Sequence, residues 1–115
     1  MKLIFTTKGT TWDSAMDPRF GRTEFFFVYD EESAEIQTFD NAAMGEQAHG
    51  AGPKTAQKMA EFSPNVLITG NGPGGNASTV LQTTETEIYV GAGEMTVKEA
   101  YEAYQQGNLQ KLPGS

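Results

Sequence analysis

The 115-residue chain contains no cysteine and a single histidine, His49. The missing thiols remove disulfides, thiolate nucleophiles, zinc ribbons and cysteine-ligated iron–sulfur clusters together. One imidazole cannot build a multi-histidine metal site within one chain. With no cysteine and no G-x-S-x-G, a nucleophile–base pair for hydrolysis also lacks its parts. Cations are scarce, at 8 Lys+Arg against 15 Asp+Glu, for a formal net charge of −7. Nucleic-acid binders draw most of their affinity from phosphate contacts, so this balance argues against nucleic acid as a partner. No apolar stretch reaches membrane-spanning length, and MKLIFTTKGT has no long apolar core of a secretory signal. A cytoplasmic protein with no membrane partner is the expectation. Carboxylates are also missing where two-metal nuclease chemistry would need them, in LIFTTK (3–8) and in 66–71. Asp13, Asp17 and Glu94 fall in loops, where exposed acids are ordinary.

What is present suits one folded domain, taken here as residues 1–112 with 113–115 as a tail. KLIFTT (2–7) reads as a buried strand, and EFFFVY (24–29), apolar throughout, as a strand covered on both faces. EIQTFDN (35–41) alternates weakly, as an edge strand hairpin-paired with 24–29 would. A glycine-bearing connector, 41–52, leads to a helix opening at Pro53, with Ala56, Met59 and Ala60 on its apolar stripe. NVLITG is the next strand, a second helix follows with Ala77, Val80 and Leu81, and EIYVGA (87–92) is the last strand. Thr96-Val97-Lys98-Glu99 is a capping-box pattern opening a third helix, which Gly107 is placed to stop. The order β-β-β-α-β-α-β-α predicts a ribonuclease-H-like α/β fold: a mixed five-stranded sheet, order 3-2-1-4-5, with helices on both faces. Ligands of such sheets sit beyond the carboxyl ends of the parallel strands. The loops 8–23, 71–76 and 91–95 should meet there, with 41–52 within reach.

In VLITGNGPGGNAS (66–78), Gly70, Gly72 and Gly75 fit G-x-G-x-x-G, and Glu94 stands at the offset of a ribose contact. The turn follows the fourth strand, however, and one further strand is too little for a two-half dinucleotide fold. Two readings remain: glycines that permit a tight turn, or backbone N–H groups at a helix N-terminus that receive an anion. Lys8, Arg19, Arg22 and Lys54, half of the eight cations, fall near two loops that could flank one site. A local positive patch on an acidic protein concentrates an anion; alternatively Arg19 and Arg22 pair with Asp13, Asp17 or Glu24. Trp12, Met16, Phe20, Met44 and Met95 also lie in loops, either as soft, polarisable surroundings for a ligand or as a cap on the core. His49, in a glycine-rich loop, is a ligand or proton donor, or simply solvated.

DPRFGRTEFFFVYD (17–30), HGAGPKTAQKMAE (49–61), VLITGNGPGGNAS (66–78) and IYVGAGEMTVKEAYEAYQQGNL (88–109) together resemble the dinitrogenase iron–molybdenum cofactor biosynthesis family, in order and spacing from Met1 to about Leu112. RFGR and the lack of cysteine resemble its orange-protein type. The resemblance implies the ribonuclease-H-like sheet and a small carrier or chaperone of a preassembled metal–sulfur cluster; a monomeric, non-enzymatic protein that holds the anionic metal–sulfide cluster noncovalently is the expectation. The implied cluster is molybdenum–copper sulfide, or alternatively an iron–molybdenum–sulfur cofactor precursor. Here Arg19 stands where many members have a histidine, Pro53 where an aliphatic residue usually opens the helix, and the turn after 66–70 has an extra glycine, with Asn76 before Ala77. A thiomolybdate-type cluster is a soft polyanion that brings its own sulfide and needs N–H donors, a few cations and apolar surroundings. The residues offered for its pocket are Met16, Arg19, Phe20, Arg22, His49, Lys54, Asn71, Gly72, Gly74, Gly75 and Asn76, with His49 as the candidate metal ligand. The turn at 70–76 is then a pocket wall and not a nucleotide site. Expected partners are the cluster and a P-loop ATPase or cluster-accepting protein. The alternative is a regulatory protein that docks a P-loop ATPase through its acidic surface, with no essential cluster.

Overall fold

A computed structural model describes residues 1–19, 23–40, 64–70 and 86–111. Its described strands are β1 (Lys2–Thr7), β2 (Phe25–Asp30), β3 (Glu35–Asp40), β4 (Val66–Ile68), β5 (Glu87–Val90) and β6 (Gln110–Lys111), with one described helix, α1 (Val97–Gln105). They form one mixed sheet in the order β3-β2-β1-β4-β5-β6. β1 pairs antiparallel with β2 (Ile4 opposite Val28) and parallel with β4 (Ile4 opposite Leu67). β4 pairs parallel with β5, and β2 antiparallel with β3. The expected order of the first five strands is therefore observed.

Composition explains each strand's place. β1 is central, and Leu3, Ile4 and Phe5 have no exposed surface. β3 lies at the edge, where its weak alternation leaves Ile36 44% exposed. Acids at both ends of β3, Glu35 and Asp40, discourage edge-to-edge pairing. Leu3, Phe5, Phe27, Val66 and Ile68 pack with Val97, Ala100 and Ala103 of α1. Ile4, Phe26 and Leu67, whose side chains alternate to the other face, are equally buried.

Two expectations need correction. The sheet has a sixth strand beyond the five expected: Gln110–Lys111 pairs antiparallel with β5 (Tyr89 opposite Lys111). β5 would otherwise be an unpaired edge, and burial of Leu109 brings the chain back to it. Two residues are too few to show a strand period. Helices on both faces are also not what the described residues contain, since α1 covers one face. The expected helices from Pro53 and near Ala77 lie outside the described residues.

α1 is capped as its sequence predicts. The Glu99 N–H donates to Thr96 Oγ1 (3.2 Å), and the Thr96 N–H donates to Glu99 Oε1 (2.9 Å). At the other end Gly107 has φ +76°. Its N–H donates to the Tyr104 carbonyl, and the Asn108 N–H to that of Ala103, the paired bonds of a Schellman stop. Gly107→Ala should cost about 1 kcal/mol, because an L side chain is strained at positive φ. Denaturant unfolding measures it, and Gly107→Asn should lose less.

Candidate anion site

β1 and β4 run parallel, as do β4 and β5, so their carboxyl ends open on one edge of the sheet. The loop after β1 is stitched there to the loop after β5 and to the first turn of α1. Backbone N–H groups of Met16, Val97 and Lys98 donate to the carbonyls of Met95, Ser14 and Trp12 at 2.8–2.9 Å. Trp12 packs edge-on against Phe27 and Tyr29, with ring centroids 4.9 and 5.0 Å away, and also against Tyr101. Of the two readings of this loop tryptophan, the cap on the core is the one observed.

Beyond the stitching the two loops and the end of β4 come unusually close. A Cβ built on Gly70 would stand 2.5 Å from Pro18 Cα and 2.8 Å from Gly93 Cα; one on Gly93 would stand 3.1 Å from Pro18 Cβ. Gly70 therefore serves close backbone approach, in addition to any turn it permits. Around this crossing lies an open hollow of about 480 Å³, lined by Pro18, Gly70, Gly91, Gly93, Glu94 and Met95. The loops 8–23 and 91–95 thus meet where the topology places a ligand. Met95 lines the hollow with a thioether, and Glu94 stands exposed at its rim.

Asp17, read from sequence as an ordinary loop acid, is instead fully buried. Its Oδ1 accepts from Arg19 N and Nε, both at 3.0 Å, and its Oδ2 from Arg19 Nη2 at 3.0 Å and the Glu24 N–H at 3.1 Å. Burial opposes ionisation, but these hydrogen bonds and the Arg19 charge outweigh it and hold the carboxyl below its ordinary pKa. The Asp17 N–H donates to the Thr6 carbonyl at 2.8 Å, and the Thr6 hydroxyl donates to the Asp17 carbonyl at 3.0 Å. That commits the one Thr6 hydroxyl proton, so in the 2.7 Å Thr6–Thr69 contact Thr69 donates. A signal for this turn was present: Asp-Pro-Arg suits an Asx turn, in which the carboxylate accepts from the N–H two residues on.

The predicted site residues divide accordingly. Met16 is 1% exposed and belongs to the core, the cap alternative. Arg19 pairs with Asp17, which was one of its two readings. Phe20, Arg22, His49, Lys54, Asn71, Gly72, Gly74, Gly75 and Asn76 lie outside the described residues. Thr6, Thr69 and Gly93 were not anticipated, and Asp17 only as a partner of Arg19 or Arg22.

Sheet and hollow define a small α/β protein with a loop-walled recess at the carboxyl edge of its parallel strands. The chain belongs to the dinitrogenase iron-molybdenum cofactor family, whose model matches residues 1–107. Among solved structures it is similar to the apo form of the orange protein from Desulfovibrio gigas, with 31% identity, a TM-score of 0.90, and coverage of 98% of this chain and 93% of that one. It is also similar to a putative NifB protein from Thermotoga, with 32% identity, a TM-score of 0.81, and coverage of 96% and 92%. An uncharacterized protein of Methanocaldococcus jannaschii is 28% identical over 104 residues, 87% of this chain and 85% of that protein. No helix among the described residues is long and apolar enough to cross a membrane.

Proposed function

We propose that the protein is a cytoplasmic, non-enzymatic carrier whose cargo is a preassembled anionic metal–sulfide cluster, held noncovalently in the hollow at the carboxyl edge of β1, β4 and β5. The hollow itself carries this reading: it lies at the ligand position of the topology and has backbone walls in Pro18, Gly70 and Gly93 with a soft thioether in Met95. Family membership and likeness to the orange protein support it. A molybdenum–copper sulfide cluster is the proposed cargo, with an iron–molybdenum–sulfur precursor as the alternative. Its sulfides supply the metal ligands that a cysteine-free chain lacks. Glu94 is exposed and can keep its carboxylate in water, away from the anion. Arg22, Lys54 and the turn at 71–76 are proposed to supply the cations and N–H donors, Phe20 an apolar wall, and His49 any direct metal bond.

Apo-protein mixed with tetrathiomolybdate and a copper salt should retain a coloured, stoichiometric molybdenum–copper species through desalting, read by visible absorption and metal analysis. Arg22→Ala and Lys54→Ala should each weaken retention several-fold, and more at low than at high salt, because screening shortens the reach of exposed charges. Elution of all metal with the small molecules would overturn the carrier reading in favour of a protein that docks a P-loop ATPase without a cluster.

A further inference from the structure

The carboxylate of Asp17 is fully buried, yet its partners, Arg19 and Glu24, both belong to the β1–β2 connection. Burying a charge is costly unless it is fully hydrogen-bonded, and here four N–H groups meet it. These bonds, with the two backbone–Thr6 bonds, leave residue 17 little freedom. The next residue is Pro18, whose Cα sits against Gly70 and whose ring faces the hollow's other wall at Gly93. Thr69, which donates to Thr6, directly precedes Gly70. A closed circuit, Asp17–Thr6–Thr69–Gly70–Pro18, therefore sets one wall of the hollow.

The same circuit limits what Arg19 can do. Its guanidinium is half exposed but grips Asp17 through Nε and Nη2. Turning it toward an anion would leave the buried carboxylate with two backbone N–H partners and no counter-charge. We infer that Asp17 is a positioning residue: with Arg19 it forms a neutral clamp that holds Pro18 as a wall of the anion hollow, and Arg19 is not the anion's counter-ion. The inference rests on the carrier reading.

The full chain is loaded with tetrathiomolybdate and copper, and metal retention after desalting is followed at several salt concentrations. Asp17→Asn keeps the side chain's shape but turns one acceptor into a donor. It should shorten retention at least about tenfold, as loss of ligand-positioning interactions typically does. Arg19→Gln should do the same, with the salt dependence of retention unchanged from wild type. The double variant should be no worse than either single one, since the two groups act as a unit. Retention equal to wild type in Asp17→Asn would overturn the inference. So would an Arg19→Gln variant whose retention has lost part of its salt dependence, because that is the signature of a counter-ion. If wild type itself retains no metal, the carrier reading fails separately. The clamp is then judged by amide exchange at Arg19 and Glu24: faster exchange in Asp17→Asn upholds it, and unchanged exchange overturns it.

Discussion

Gly70→Val is expected to destabilise the protein by roughly 2–3 kcal/mol, the cost of forcing bulk into a packed site. Its Cβ would meet backbone on both sides, Pro18 Cα at 2.5 Å and Gly93 Cα at 2.8 Å. A flexible side chain could swing away from such a clash, whereas two loops stitched by backbone hydrogen bonds must move bodily. Relief therefore opens the hollow, and metal–sulfide retention should fall with stability. Two neighbours calibrate the effect. Gly91→Ala meets open space but has φ +97°, so it should cost only about 1 kcal/mol of backbone strain. A Cβ on Gly93 meets the Pro18 ring at 3.1 Å, so Gly93→Ala should lie between the two. Denaturant unfolding of the three variants gives the ranking. A Gly70→Val protein as stable as Gly91→Ala would show that the loops do not approach as described.

Asp17→Ala should cost roughly 3 kcal/mol. It removes a buried acceptor and leaves the N–H groups of Glu24 and Arg19 without their partner. The ion-pair share of that loss is reduced because the Arg19 side chain is 51% exposed and screened by water. The effect should depend on pH with a definite sign. The folded-state pKa of Asp17 is depressed, by hydrogen bonds and the Arg19 charge that overcome desolvation. Its contribution is then fully present above the unfolded-state value, about pH 4. It is lost as pH falls through the lower folded-state value. The stability gap between wild type and Asp17→Ala should be constant from about pH 5 to 7 and should narrow in stronger acid. Urea unfolding at a series of pH values tests this. A gap that widens in acid would mean that the folded-state pKa of Asp17 lies above the unfolded one, the opposite of what its hydrogen bonds dictate.

Much of the fold was legible because its causes are local. The period and length of KLIFTT, EFFFVY and VLI specify strands, and the short turn between EFFFVY and EIQTFDN specifies a hairpin. Thr96 and Glu99 cap α1 through contacts three residues apart, and Gly107 ends it within one turn. The position of the hollow was legible too, since parallel pairing of β1, β4 and β5 places their following loops on one edge. Its lining was less so. Met16 and Met95 are both loop methionines in the sequence, yet Met16 is buried in the core, while Met95 packs against that core only in part and also lines the hollow. That difference follows from the stitching of one loop to the other, and composition carries no trace of it.

The chain by itself determined which segments form the first five strands, the capping of α1 and the absence of any thiol for a metal, because each depends on residue type or on contacts within a few positions. Tertiary structure decided the rest. β6 exists because Leu109 is buried and β5 has a free edge. Asp17 is structural and not solvated because Thr6, Arg19 and Glu24 converge on it. Gly70 must be glycine because Pro18 and Gly93, distant in sequence, cross it within van der Waals reach. Such approaches depend on how loops from three strands are held together, and no window of neighbouring residues contains that information.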